Sequence, residues 1–219
     1  MKKPSLQNLA DIKLLTTAWQ SIQSRGTTGG IDQVSIEDYA KKWQQNLKRL
    51  SEQLLSHVWK PQPYKGIQVP KKGEGTRTLG LLCIEDKIVQ QGIKFLIEPF
   101  IESKLHGACY AYRSGKGHAK AVRRCLHECR QASCNVYLRL DVKDFFDTID
   151  REILMNQLSC IVPDKDILAL VRLYVSMGRV TSSLSWEESA EGIPQGAILS
   201  PLLSNLYLVP FDNFMESIS

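Results

Sequence analysis

The chain has 219 residues, 43% of them hydrophobic, which is enough to bury a sizeable core and excludes a disordered tail. No apolar run is long enough to cross a bilayer, no apolar stretch follows the first lysines, and six irregularly spaced cysteines read as reduced thiols, so a soluble cytoplasmic protein is expected. The net charge of +5 hides a split: residues 1–135 carry 22 Lys+Arg against 11 Asp+Glu, and residues 136–219 carry 6 against 12. A basic half suits a polyphosphate backbone and an acidic half suits divalent metals, with ordinary solvated surface as the plain alternative.

In chain order, LQNLADIKLLTTAWQSIQ places Leu6, Leu9, Ile12, Leu15, Ala18, Trp19 and Ile22 at helical spacing, and SRGTTGG breaks it. A second helix is predicted after Ser35, with Asp38 completing a capping box and Tyr39, Trp43, Leu47, Leu50 and Leu54 forming its stripe. Pro61 and Pro63 end the helical region. YKGIQVPKK and RTLGLL then read as two strands around the turn GEG, a basic hairpin. Helices follow from Ile84 and within GKGHAKAVRRCLHECRQA. VYLRLDV reads as a buried strand, and Asp150 and Asp164 cap two further helices. GRVTSSLSWEESAEGIPQG has β-compatible stretches around a polar middle. The last run, AILSPLLSNLYLVPFDNFME, is apolar and helical, with Pro201 in its first turn and a late break at Pro210. The expected units are a helical segment at 1–60, a part with the basic hairpin and helices at 61–135, and a part with the aspartate strand and GIPQG at 136–219.

A carboxylate at the end of a buried strand is a place to hold Mg²⁺, which takes oxygen ligands and keeps waters or substrate phosphates in its remaining positions. Asp141 is so placed, although a lone aspartate there is more often a turn or cap residue. In GIPQG, glycine and proline fix a tight turn, glutamine offers a donor and an acceptor, and small residues let a helix start approach a ligand. Cys125, Cys129 and Cys134 lie near His118 and His127 without paired CxxC spacing, and Cys125 and Cys129 share a helix face, so they read as thiols rather than zinc ligands.

LRLDVKDFFDTID (Leu138 to Asp150), followed by EGIPQGAILSPLLSNLYL, resembles the first two palm motifs of bacterial reverse transcriptases of the group II intron and retron type. The resemblance implies an α+β right-hand fold, with helical fingers bearing a basic β-hairpin and a partial palm sheet flanked by helices. It also implies an RNA-directed DNA polymerase that takes an RNA template, a DNA primer and dNTP, and uses two Mg²⁺ ions. By that match Asp141 binds metal, the Val142 carbonyl completes a coordination shell, and Phe146 is the steric gate against a 2′-OH, while Phe145 packs inward. Gln195 contacts the incoming nucleotide and Gly196 lies close to the primer-template.

GIQVPKKGEGTRTLGL is similar to the family's basic hairpin, which puts Lys71, Lys72 and Arg77 over the triphosphate and Leu79 near the templating base, although Thr78 and Leu82 stand where prolines are usual. GIDQVSIEDY resembles the entry segment GxDGxS, with Gln33 in place of a glycine. In YAYRSGKGHAKAV, Arg113 and Lys116 either contact nucleic-acid backbone or simply form a loop and helix start. The family's YxDD motif and thumb do not occur within the 219 residues. The chain is therefore expected to be a truncated polymerase, inactive alone. The alternative is a noncatalytic RNA- or DNA-binding or assembly module.

Overall fold

The computed structural model describes residues 3–70, 75–131, 138–181, 185–188 and 191–218, with only the backbone of Arg77. The first helical stripe forms two helices, α1 (Leu6–Leu9) and α2 (Ile12–Arg25). They divide at Asp11, whose carboxylate accepts the Lys13 N–H at 2.9 Å and starts a new helix. The second stripe divides as well, into α3 (Ile36–Ala40) and α4 (Trp43–Leu55). Ser35 accepts the Asp38 N–H at 3.0 Å, and its hydroxyl donates to the Asp38 carboxylate at 2.8 Å, so the two expected capping residues meet. Gln33, standing where the resembling motif has glycine, adopts the left-handed conformation with φ 57°.

The basic hairpin forms as β1 (Tyr64–Pro70) and β2 (Thr76–Leu81), antiparallel, in a register that sets Gln68 opposite Thr78. Gln68 Nε2 donates to the Thr78 hydroxyl at 3.0 Å, so the threonine that replaces the usual proline ties the two strands. Helix α5 (Ile84–Glu102) crosses the middle of the molecule. Ile88, Val89, Ile93, Leu96, Ile97 and Ile101 on it are all buried, each contributing about 1.5–3 kcal/mol relative to exposure. One core joins these to Leu15, Trp19 and Leu50 and to Leu154, Val171 and Leu203. The expected segments are thus packed around a common interior.

Beyond α6 (His118–Gln131), the two capped helices are α7 (Arg151–Ser159) and α8 (Lys165–Ser176), with Asp150 and Asp164 accepting first-turn N–H groups. Short strands β3 (Arg179–Val180) and β4 (Trp186–Glu187) extend the hairpin into a four-stranded mixed sheet of order β2-β1-β3-β4, in which β3 runs parallel to β1. Helix α9 (Ser200–Ser217) carries Pro201 in its first turn as expected but continues through Pro210, which lies on an exposed face.

The buried strand expected at VYLRLDV is a correction. Residues 136 and 137 lie outside the described residues, and Leu138, Leu140 and Val142 are in irregular backbone, 75%, 74% and 60% exposed. An apolar run becomes a strand only when a neighbour takes its backbone hydrogen bonds. No described strand lies beside this one, because the sheet is built from the hairpin and β3–β4.

Inside α5, Asp86 is fully buried, accepting the Tyr174 hydroxyl at 3.1 Å and the Gln62 N–H at 3.2 Å. Burial raises its pKa to about 7, against the opposing effect of those two donors. An unfolded aspartate releases its proton near pH 4, so between there and pH 7 the native state holds a proton that the unfolded chain has lost. Stability therefore falls as pH rises through this window. From pH 5 to pH 8 the unfolding free energy in urea is expected to drop by about 2–3 kcal/mol. Asp86→Asn should flatten that slope, and an unchanged slope in the variant would refute the assignment.

Candidate active site

The aspartate motif acquires structure at Asp144, which takes a left-handed backbone (φ 47°) and opens a 3₁₀ turn at Phe145–Thr148. Phe145 and Phe146 are half-buried and meet edge to face with ring centroids 5.7 Å apart, and Phe145 also faces Tyr207 on α9 at 6.3 Å. The expected inward packing of Phe145 is thus shared by both rings.

The GIPQG turn docks on this element. The Ile193 N–H donates to the Phe146 carbonyl at 2.8 Å, and Gly192 has φ 69°. A Cβ there would come within 2.4 Å of the Phe146 oxygen, so glycine is required both by conformation and by contact. Arg151 at the start of α7 donates to the Gly192 carbonyl at 2.6 Å and to the Glu191 carbonyl at 2.9 Å. Gln195 Nε2 reaches both carboxylate oxygens of Asp147, at 3.3 and 3.2 Å.

The other side of the turn is joined to the hairpin. The Gly80 N–H of β2 donates to the Gln195 carbonyl at 2.8 Å. Gly196, at φ 99°, sits so close that a Cβ would lie 2.7 Å from the Gly80 oxygen and 2.8 Å from Leu79 Cδ1. Three motifs far apart in sequence are therefore brought together: Leu79 on the hairpin, Phe146 in the aspartate segment, and Gln195 and Gly196 between them. A cavity of about 270 Å³ opens beside them, lined by Thr78, Gly80, Asp147, Pro194, Gln195 and Glu191 among others.

Residues of the site that the sequence did not single out lie underneath. Gln90 on α5 is fully buried, and its Oε1 accepts the N–H groups of Ile198 and Leu199 at 3.0 and 3.3 Å while its Nε2 donates to the Tyr64 hydroxyl at 3.3 Å. Tyr64 in turn donates to the Tyr174 carbonyl at 3.1 Å. The signal for Gln90 was a polar residue inside an otherwise apolar helical stripe. Asn205, the last residue of SPLLSN, donates to the Ala111 carbonyl at 2.8 Å and so anchors the loop before α6. Asp147 was visible only as one of several acidic residues after Asp141.

The remaining expected residues are less gathered. Asp141 and Val142 are exposed in irregular backbone. Lys71 and Lys72 lie outside the described residues, as does the side chain of Arg77. Arg113, one of two candidates for a backbone phosphate, is an internal tie: its buried guanidinium holds Glu102 and donates to the carbonyls of His106 and Cys109 at 2.7 and 2.8 Å. Lys116 Nζ donates to the Gly107 carbonyl at 2.6 Å and lies 5.1 Å from the centre of the Tyr110 ring. Among the described residues, no group of three His, Cys, Asp or Glu side chains is placed to hold a metal ion, and no helix is long and apolar enough to cross a membrane.

Residues 69–218, which begin near the end of β1 and include β2, the aspartate motif and GIPQG, match the family described as reverse transcriptase (RNA-dependent DNA polymerase). The chain belongs to this family. It is 28% identical to the protein YkfC of Escherichia coli over 224 aligned residues, covering 97% of this chain and 58% of that protein. To the group II intron-encoded protein LtrA of Lactococcus lactis it is 25% identical, over 90% of this chain and 33% of LtrA. A chain of a partial Cas6-RT-Cas1–Cas2 complex shares the fold with a TM-score of 0.64 at 22% identity, covering 97% of this chain and 35% of that one. This chain thus spans little more than half the length of YkfC and about a third of LtrA.

The Gln90 bridge gives a direct test of how the turn is held. Gln90→Met keeps the volume but leaves two backbone N–H groups without their acceptor and removes the bond that the Tyr64 hydroxyl accepts, a loss expected to cost about 2–4 kcal/mol in urea unfolding. Amide exchange at Ile198 and Leu199 should accelerate ahead of the rest of α9. Unchanged protection at those two amides would show that Gln90 does not hold the turn.

Proposed function

We propose that this chain is the fingers and first part of the palm of an RNA-directed DNA polymerase, which adds dNTP to a DNA primer on an RNA template. The observation that carries the reading is the docking of GIPQG onto the hairpin at Gly80 and onto the aspartate segment at Phe146. It sets the nucleotide-facing candidates of three motifs side by side.

In this reading Lys71, Lys72 and Arg77 neutralise the triphosphate, where charge grows on the leaving pyrophosphate. Leu79 packs at the templating base and Gly196 gives the primer-template close approach. Phe146 is the gate beneath the incoming sugar, its backbone fixed by the Ile193 bond and its ring by the core. Gln195 presents its amide to the nucleotide, with Asp147 orienting it. Asp141 and the Val142 carbonyl supply hard oxygen ligands of the kind Mg²⁺ takes. Among the described residues, no group of three His, Cys, Asp or Glu side chains forms a complete site for the two ions expected. When bound, the metal supplies charge neutralisation for phosphoryl transfer. The free thiols among the described cysteines support a reducing, cytoplasmic setting.

Primer extension on an RNA template, run with the full-length product of the gene that encodes this chain, tests the reading. Incorporation of dNTP is expected, and Asp141→Ala should lower it about a thousandfold or more. Phe146→Val should admit rNTP while keeping dNTP incorporation. Extension that survives Asp141→Ala would overturn the proposal.

A further inference from the structure

A second cavity, of about 510 Å³, lies between α5, the end of α2 and the loop that precedes α6, and none of its lining residues is shared with the cavity beside GIPQG. Its walls combine three features. Gln91 on α5 lines it, is 1% exposed, and has no hydrogen-bond partner for its Oε1 among the described residues. A buried acceptor without a donor is costly and calls for a ligand or a reason. Phe95, Tyr110 and Tyr112 add aromatic faces. Tyr112 is 61% exposed and held at φ 55°, in the left-handed region that a bulky residue rarely occupies. The rim is basic: Arg25 and Lys116 line it, while Lys94 and Glu98 offset each other at 3.6 Å.

The wall is also preformed. Arg113 fastens the loop to Glu102 and to its own carbonyls from beneath, and Asn205 holds the Ala111 carbonyl. An aromatic and basic pocket with one unsatisfied carboxamide oxygen matches what reads an unpaired base of RNA. Such bases are recognised by stacking on aromatic rings and by hydrogen bonds to their edges, with cations on the adjoining phosphates.

We propose that this cavity captures one unpaired base of single-stranded RNA, with adenine preferred. The Gln91 carboxamide pairs with the base edge, as a glutamine can pair with adenine N6 and N7. Tyr112, which is exposed and held on the preformed loop, stacks on the ring, and Arg25 and Lys116 take the neighbouring phosphates. The inference rests on the reverse transcriptase reading only in that RNA is the ligand. It adds a base-reading subsite apart from the candidate active site.

Fluorescence anisotropy of the 219-residue chain with labelled oligo(A), oligo(C) and oligo(U) across a salt series provides the test. Oligo(A) is expected to bind about tenfold more tightly than oligo(U). Gln91→Met, which replaces an unpaired buried amide by an apolar chain of similar length, should erase that preference and leave the melting temperature and the salt dependence in place. Tyr112→Ala, on an exposed loop, should weaken oligo(A) binding about tenfold. Lys116→Ala should reduce the salt slope by about one. Equal binding of all three RNAs, a preference that survives Gln91→Met, or oligo(A) affinity unchanged in Tyr112→Ala would each overturn the proposal. So would absence of RNA binding. Primer extension by the full-length product, which does not depend on this pocket's base preference, decides the polymerase reading separately.

Discussion

The interior of this protein is organised by a chain of buried hydrogen bonds through α5. Asp86 receives Tyr174, the Tyr174 carbonyl receives Tyr64, Tyr64 receives Gln90, and Gln90 receives the backbone at the start of α9. Each group is cut off from water, so each depends on its neighbour, and none can be moved without stranding another. Apolar packing around α5 buries the largest share of side chains, but it is non-directional. The polar chain is directional. It fixes the hairpin, α8 and the GIPQG turn in one relative position, and therefore sets where the candidate nucleotide-facing residues stand.

Local signals in the sequence were read well where a short-range rule governs. The Ser35, Asp150 and Asp164 caps, the hairpin and the long helix from Ile84 all follow from spacing, turn chemistry and capping. The rule for helices failed at Asp11 and at Lys41–Lys42, where an apolar stripe continues in register but the backbone restarts. VYLRLDV shows the limit of composition. Its β-forming residues state a preference for extended backbone, but a strand also needs a partner, and the sequence does not say where that partner is.

The candidate site was legible to different depths. GIPQG announced a tight turn, and the requirement for glycine at positions 192 and 196 has a steric cause in the structure. What lies on either side of the turn was not legible, since the contacts with Gly80, Phe146 and Asp147 depend on long-range packing. Arg113 illustrates the converse. A basic residue in a glycine-rich loop suggests a phosphate, yet its position beside Glu102 and the carbonyls of His106 and Cys109 turns it inward. Charge in a sequence identifies what a residue can bind, and geometry decides what it does bind.

The bond from the Gly80 N–H to the Gln195 carbonyl, with Gly196 pressed on Leu79, has a mechanical consequence. It ties the root of the hairpin to the GIPQG turn, so the two are in direct mechanical contact. A displacement of β2 at Gly80 is then passed directly to Gln195 and Gly196, and the reverse. The point of contact is a pair of glycines.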